Sequence, residues 1–492
     1  MTSSLLRAVV SRLFTSACTV LTSFISLKLY SLYLTKEIYG VILVGVQIIS
    51  YLPLTGAGFI MVLNQRILTD RNTESAKEMS WFAQLLQNYF FLFAVVVALT
   101  LMAGYCETSL VRTSGLPVPL FLCIGMAGAI TFYMSGQLSF LIGQGEQVKC
   151  YFFQGIMSLL GSLILYCSFA AGWGVWAFPI SASLSALLIF LPVRYVLRAR
   201  ISGLPLFVLQ PKPDFLERLK KIWRPALDCL MTQGWGMLSF SLDTILVGLI
   251  VGPGPAAIYG VISRVTGISR HVLQALGEAS WPRLAQQANP ELKARFMRKV
   301  DRLNAWNVGC WFGTMFATVL PFMGWLLKAD WLAGPLLVAL VLTRHAIISL
   351  AGPHVFGITS LGLFKENARL ARLEVITSVI PAVILSYLMG SVGTAIGYLI
   401  GTLCVSAWQV TRLYFVSNNQ PWIREWCALY IRGIFGALLA YTLAAVLWRG
   451  CHSLWPMPGW AALIVGGIAL GLSWAATAGI EMWRTHFNPL KD

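Results

Sequence analysis

Stretches of apolar residues, each longer than the roughly 20 residues an α-helix needs to cross about 30 Å of hydrocarbon, follow one another along this chain with only short polar breaks. Fourteen can be delimited: 9–34, 38–64, 80–105, 116–142, 150–171, 173–196, 226–251, 256–284, 304–327, 331–356, 368–388, 392–416, 426–447 and 459–482. Within lipid each backbone N–H and C=O must find its partner inside the segment, so runs of this length are expected to be helices. The composition agrees, because a 492-residue chain that is 57% hydrophobic and 11% charged cannot clothe a water-soluble surface. The expectation is an all-α polytopic membrane protein with about fourteen transmembrane helices.

The net charge of +17 would suggest a nucleic-acid partner if the basic residues formed one patch, but they are spread along the loops. With fourteen crossings, 27 of the 36 Lys and Arg fall on the side that carries both ends of the chain, and only Lys36, Arg112, Lys328 and Arg449 fall in loops on the other. This asymmetry predicts that both termini are cytoplasmic, in a cell (inner) membrane. The N-terminal segment has Arg7 and Arg12 before its apolar run, and Ala17-Cys18 faintly resembles a lipoprotein cleavage site. Apolar character continues to Leu34 and Thr15 stands where such a signal usually has Leu, so an uncleaved first helix is expected. Ten scattered cysteines, with no C-x-x-C, indicate neither a zinc site nor a disulfide framework.

Ile38-Tyr39-Gly40-Val41-Ile42 recurs unchanged as Ile258-Tyr259-Gly260-Val261-Ile262, displaced by 220 positions. The same displacement carries Glu146 onto Glu366 and Lys149 onto Arg369. Repeats of this size are the usual trace of transporters made of two equivalent helical bundles. The expected organisation is a first lobe of six helices (1–198), a cytoplasmic linker (199–225), a second lobe of six (226–418), and two further helices with a tail (419–492). In the linker, Phe215, Leu216, Leu219, Ile222 and Trp223 fall at helical spacing opposite Glu217, Arg218, Lys220 and Lys221, which predicts a short helix in the lipid headgroups.

An ionisable side chain deep in a span costs about 2.5–3.5 kcal/mol by insertion measurements, so one that persists faces water, a partner or a substrate. The candidates are Lys28, Asp243, Arg264, Arg270, His271, Glu278, Arg344 and His345. Asp228, Glu374 and Arg432, near cytoplasmic ends, are expected to reach the headgroups by snorkelling. At a rise of about 1.5 Å per residue, Asp243 and Arg264 fall at one level, about 12 Å below the outer end of their helices, and form an expected ion pair, structural or mechanistic. Arg344 falls about 18 Å deep, near the midplane. A water-filled cavity lined by Lys28, Arg264 and Arg344, with Arg270, His271 and His345 as further basic candidates, would suit a phosphate- or carboxylate-bearing headgroup. Asp243 and Glu278 are the candidates for coupling to H+ or Na+, the only cofactor considered. His271 and His345 lack a Ser or Cys nucleophile arrangement and metal-ligand spacing, so no enzyme is expected.

The junction Leu34-Thr35-Lys36-Glu37-Ile38-Tyr39-Gly40 resembles the L-G-x-x-x-Y-G of the polysaccharide biosynthesis transporter family, the O-antigen flippase type of the multidrug and oligosaccharidyl-lipid exporter superfamily. Its second copy, Asp243-Thr244-Ile245-Leu246-Val247-Gly248 through Ile258-Tyr259-Gly260, and Ser280-Trp281-Pro282-Arg283, similar to the family's F-P-R/K, extend the likeness. With the six-plus-six-plus-two layout it spans the whole chain. Where many members have D-L-G-L, this chain reads Gly56-Ala57-Gly58-Phe59, without the acid.

The resemblance implies an alternating-access flippase for a lipid-linked oligosaccharide of the undecaprenyl-pyrophosphate type, moved to the outer leaflet for surface polysaccharide biosynthesis, with two lobes rocking around a central cavity. The last two helices, outside the repeat, either guide the lipid tail, as an extra pair does in related peptidoglycan lipid flippases, or merely pack on the second lobe. Implied partners are the bilayer, the lipid-linked glycan and the polymerase or glycosyltransferase machinery, with the protein acting as a monomer and without nucleic acid. The alternatives are a multidrug or small-molecule exporter on the same scaffold and, from another class, a membrane-embedded glycan polymerase or ligase. With membrane-impermeant thiol reagents, Cys106 and Cys451 are expected to react from outside and Cys150 and Cys427 to stay unlabelled; the reverse pattern would invert the topology.

Overall fold

The computed structural model describes residues 3–69, 73–200, 211, 213, 215–286, 290–361, 363–454 and 458–485. Within the helices some side chains lie outside the description, chiefly those of 270–286 apart from Leu273, and 478–485. Every regular element described is helical. In chain order these are α1 (Ser3–Tyr33), α2 (Lys36–Ile49), α3 (Ala57–Thr69), α4 (Thr73–Cys106), the short α5 (Ser109–Arg112), α6 (Val118–Gly143), α7 (Gln147–Ala170), α8 (Ala177–Arg200) and α9 (Phe215–Leu246). They continue as α10 (Pro253–Gln286), α11 (Pro290–Leu326), α12 (Pro335–Ser360), α13 (Phe364–Thr402), α14 (Thr411–Ser417), α15 (Trp422–Leu454) and α16 (Ala461–Thr485).

Ten of the described helical stretches are long and apolar enough to cross a membrane, or eleven when Phe215–Ser239 and Ser241–Val251, bent by 46° to one another, are taken as one span. One of the ten, Lys365–Ser417, is 53 residues long and turns back on itself at Gly390 (φ 61°), so it comprises two antiparallel arms. The fold is therefore the expected all-α polytopic one. By this measure the described residues fall short of fourteen separate spans: α16 contributes a shorter apolar stretch, Ala461–Thr477, and much of α10's side-chain content lies outside the description. Helix ends repeat at the displacement found in the sequence, since α4 ends at Cys106 and α11 at Leu326, and α7 ends at Ala170 where the turn at Gly390 interrupts α13.

The chain divides into two compact units, 1–260 and 261–492. This boundary differs from the repeat boundary at 226, because α9 packs on α2 and α3. Phe215 stacks near Phe82, Ile222 is buried, and Gly58 lies so close to α9 that a Cβ there would be 2.9 Å from the Leu230 nitrogen. The amphipathic linker segment is thus no separate interfacial helix but the first turns of α9. Its apolar side is split: Phe215 and Ile222 join the core while Leu216 and Trp223 remain exposed. Arg218 pairs with Glu78 at 2.6 Å, tying these turns to α4.

Within the first unit the glycine of each pentapeptide copy packs against a residue that flanks the other copy. A Cβ on Gly40 of α2 would overlap the Pro253 carbonyl at the start of α10, and one on Gly260 would overlap the Leu43 side chain. Lipid gives helices no hydrophobic reason to associate, so contacts of this kind rely on small residues that bring backbones together. In the second unit Gly393, Gly397 and Gly401 line one arm of α13 against Leu385, Ala382 and Ser378 of the other. Gly309 and Gly313 of α11 face Gly433 and Ala437 of α15, with Asn307 Oδ1 accepting a 2.6 Å hydrogen bond from Trp474 Nε1 of α16. The last two helices are therefore built onto α11.

Cys106 and Cys150 are buried, so of the four cysteines expected to report topology only Cys451 and Cys427, both partly accessible, are informative. A Cβ at Gly313 would stand 2.7 Å from the Ala437 Cα, well inside van der Waals contact. Gly313→Leu is expected to force α15 off α11 and lower the thermal unfolding midpoint in detergent by on the order of 5 °C or more, against no change for Gly104→Ala, where the space is open.

Candidate functional site

The eight charged candidates divide between the units. Lys28 (α1) is half-buried in the first unit, where Asp243 (α9) is 1% exposed. The Asp243 carboxylate accepts from the Thr244 backbone N–H at 2.6 Å, the Thr244 hydroxyl at 3.2 Å and the Tyr259 hydroxyl at 3.3 Å. Tyr259 is the tyrosine of the repeated pentapeptide, so the repeat has a chemical use here: its buried ring delivers a donor to a membrane carboxylate. Arg264 (α10), Arg344 and His345 (both α12) belong to the second unit, Arg264 half-buried and the other two buried. The side chains of Arg270, His271 and Glu278, although on α10, lie outside the described residues.

Arg344 is 1% exposed, and its guanidinium lies 4.5 Å over the centre of the Tyr398 ring, itself fully buried. A desolvated cation over an aromatic face is held by about 2 kcal/mol, which recovers part of the cost of its burial. A second contribution comes from Glu374, for which Arg344 is the attractive charged neighbour. Glu374, expected to extend to the headgroups by snorkelling, is covered by protein instead. It is 9% exposed, its carboxylate accepting from the Ser406 hydroxyl at 2.8 Å and the Thr402 hydroxyl at 3.4 Å. The stretch Leu403–Val410 winds as a π-helix, a wide-turn form that recurs at functional sites, and Ser406 lies within it. Depth along one helix could not reveal this carboxylate's burial, because the returning arm of the hairpin is what covers it.

Two further polar groups carry no signal in a survey of membrane charges. In the first unit Arg194 of α8, 3% exposed, donates through Nη1 to Gln84 Oε1 at 3.2 Å and to Gln137 Oε1 at 3.3 Å. Gln84 donates in turn to Asn88 at 3.1 Å, and the Tyr133 hydroxyl closes the network on Asn88 at 3.0 Å. Gly136 of α6 leaves room for the Gln87 amide beside it. Neutral amides thus spread a buried guanidinium's charge over α4, α6 and α8. In the second unit His354, fully buried on α12, lies 3.4 Å from Asp301 of α11, 3.2 Å from the Thr411 hydroxyl, and stacks on Tyr414 at 4.7 Å.

Among the described residues no group of three or more His, Cys, Asp or Glu is placed to hold a metal ion. Chemically, the second unit presents a buried guanidinium, Arg344, with the Glu374 carboxylate as a charged neighbour, and a half-buried one, Arg264. The first unit offers a carboxylate already satisfied by three donors.

Several solved transporter structures share this fold. The chain matches a lipid II flippase MurJ in an inward closed conformation with a TM-score of 0.73 at 11% identity, covering 97% of this chain and 99% of that one. An inward-facing multidrug resistance MATE transporter of the MOP superfamily matches with a TM-score of 0.58 at 16% identity over 86% of this chain and 98% of that one. A MOP superfamily transporter from Pyrococcus furiosus, described by the reversed polarity of its binding pocket, matches at 0.56 and 14% identity, covering 87% and 96%. At these identities the likeness is one of fold. No curated protein sequence matches. The model of the family described as polysaccharide biosynthesis protein matches residues 6–287, more than half of the chain. On that match, the chain belongs to the polysaccharide biosynthesis protein family.

Proposed function

We propose that this membrane transporter flips a lipid-linked oligosaccharide, of the undecaprenyl-pyrophosphate type, from the cytoplasmic to the outer leaflet by alternating access for surface polysaccharide biosynthesis. The observation that carries this is membership of the polysaccharide family together with a fold shared, over nearly the full length of both chains, with a flippase whose own substrate is lipid II. The basic residues inside the spans favour an anionic head over the cationic drugs that an exporter would take. The site is a cell (inner) membrane with both termini cytoplasmic, as the loop charges argue. The protein acts as a monomer beside the polymerase and glycosyltransferase machinery.

In this proposal Lys28, Arg264 and Arg344 attract the pyrophosphate, with Arg270, His271 and His345 as further basic groups. The coupling ion is H+ or Na+. Asp243, in its expected pairing with Arg264, and Glu278 were the acids that the sequence suggested; Glu374 joins them on its geometry. While Glu374 is ionised it neutralises Arg344. When a proton or cation occupies the carboxylate, the field of Arg344 becomes available to an anionic head. Coupling then follows from competition for one guanidinium and needs no separate signal.

Two outcomes test this in proteoliposomes holding a fluorescent lipid-linked oligosaccharide. Arg344→Ala would leave Glu374 buried without its charged neighbour and threatens folding, so the cleaner variant is Lys28→Ala with Arg264→Ala, both half-exposed. It is expected to slow flipping at least about tenfold, the worth of roughly 1.4 kcal/mol, at unchanged folded yield. An unaltered rate would remove these residues from the substrate path. Glu374→Gln is expected to leave flipping insensitive to an imposed pH or sodium gradient; if the gradient response persists, coupling passes to Asp243 or Glu278.

A further inference from the structure

α1 and α7 run side by side in the same direction through the first unit. The order of their contacts shows it: Thr15 Oγ1 donates to the Tyr151 carbonyl at 2.5 Å, Phe14 lies against Gly155, and farther along Ser26 meets Ser162 at 3.5 Å. On the register of Thr15 with Tyr151 and Ser26 with Ser162, the start of α7 at Gln147 lies level with Ser11, about two turns into α1. Around this level lies a cavity of about 600 Å³, lined by Arg7, Val10, Ser11 and Phe14 from α1 and by Val148, Lys149 and Phe152 from α7.

Its chemistry is graded along the helices. The wall that faces the cavity is almost wholly apolar, Arg7 and Lys149 lending it their aliphatic stems, and the two charged heads stand at its rim on the polar side, Arg7 exposed and Lys149 half-exposed. Among the described residues Glu146 belongs to the same end and holds Lys149 Nζ at 3.2 Å, while Arg12 of α1, 5.1 Å over the Tyr151 ring, adds a third cation beside the cavity, so the surroundings stay net positive. Below them the walls are apolar and open outward: Val10 is 57% exposed, Phe14 38% and Phe152 47%. Phe14 and Phe152 stack at 5.8 Å to form the floor, and Gly155 makes that possible, since the Phe14 ring occupies the space where a Cβ would sit at 2.8 Å. Exposed side chains continue the walls into the span, Leu21 and Ile25 on α1, and Leu159 and Leu163 on α7.

We propose that this groove is a binding site for one anionic phospholipid, its phosphate held by Arg7 and Lys149 and an acyl chain laid along the apolar faces of α1 and α7. Charge complementarity selects the occupant: cations at the interface with apolar walls beneath them match a lipid that carries negative charge at its head. A zwitterionic lipid would fill the groove equally well but gain little from the cations. Lys149 is the position whose counterpart in the repeat is Arg369, so a cation is kept there in both copies. The site lies wholly within the first unit and uses none of the residues assigned to the transported head.

The test is native mass spectrometry of the purified full-length protein, delipidated in detergent and titrated with phosphatidylglycerol or with phosphatidylcholine of the same acyl chains. Wild type is expected to retain one phosphatidylglycerol in preference to phosphatidylcholine. A basic residue near an anionic group is good for about fivefold in affinity, and Glu146 offsets part of Lys149, so Arg7→Ala with Lys149→Ala is expected to weaken that binding about tenfold and leave phosphatidylcholine unchanged. Both side chains are accessible, so folding is not at stake, and Arg7→Lys with Lys149→Arg is expected to restore the preference. Equal retention of the two lipids by wild type would overturn the proposal, as would undiminished phosphatidylglycerol binding in the double alanine variant. Displacement of the lipid by millimolar inorganic phosphate alone would show a simple anion site and would overturn it as well.

Discussion

In hydrocarbon a helix gains nothing by hiding its apolar surface, so what binds one helix to another is close fit, and close fit between backbones requires the absence of side chains. This constraint organises the chain. Gly40 admits the Pro253 carbonyl, Gly58 admits α9, Gly309 and Gly313 admit α15, and Gly393, Gly397 and Gly401 let the two arms of α13 lie in contact. Many of the apolar residues that fill the sequence face outward on these scaffolds, as the exposed leucines, isoleucines and valines of α15 and α16 show. The glycine positions therefore carry more structural information than the hydrophobic ones.

Once backbones are that close, polar side chains can be shielded in pairs and networks that lipid would not tolerate singly. The two units do this differently. In the first, neutral amides surround Arg194, and donors from Thr244 and Tyr259 satisfy Asp243. In the second, charge meets charge or hydroxyl: Arg344 near Glu374, Glu374 on Ser406 and Thr402, His354 beside Asp301. A network of amides is fixed in charge, whereas Asp243 in the first unit and Glu374 in the second are carboxylates held by hydroxyl donors.

The membrane class, the repeat and the family were legible because each rests on a local pattern: length of apolar runs, an identical pentapeptide, a short junction motif. The buried Arg344 was legible for the same reason, since a charge in an apolar run stands out. Glu374 was misplaced because distance to a helix end is a one-dimensional measure, and the arm that buries it is 28 to 32 residues away in sequence. Gln84, Gln137 and Arg194 gave no signal, because glutamines carry no charge and the arginine sits near the end of α8 where snorkelling would be the ordinary outcome. The segment 215–223 shows the expected helical periodicity, with Phe215 and Ile222 covered by protein and Leu216 and Trp223 exposed, since helical spacing identifies an apolar face without saying what covers it.

The wide turns of Leu403–Val410 hold one residue more than an α-helix of the same rise. That surplus is slack that can migrate along the arm without breaking its ends. Were it to pass the position of Ser406, the hydroxyl would swing by about 100°, the angular step of one residue in a helix, and the carboxylate it serves would lose its nearest donor. A latch of this kind opens by rotation alone, leaving the glycine-packed hairpin around it intact.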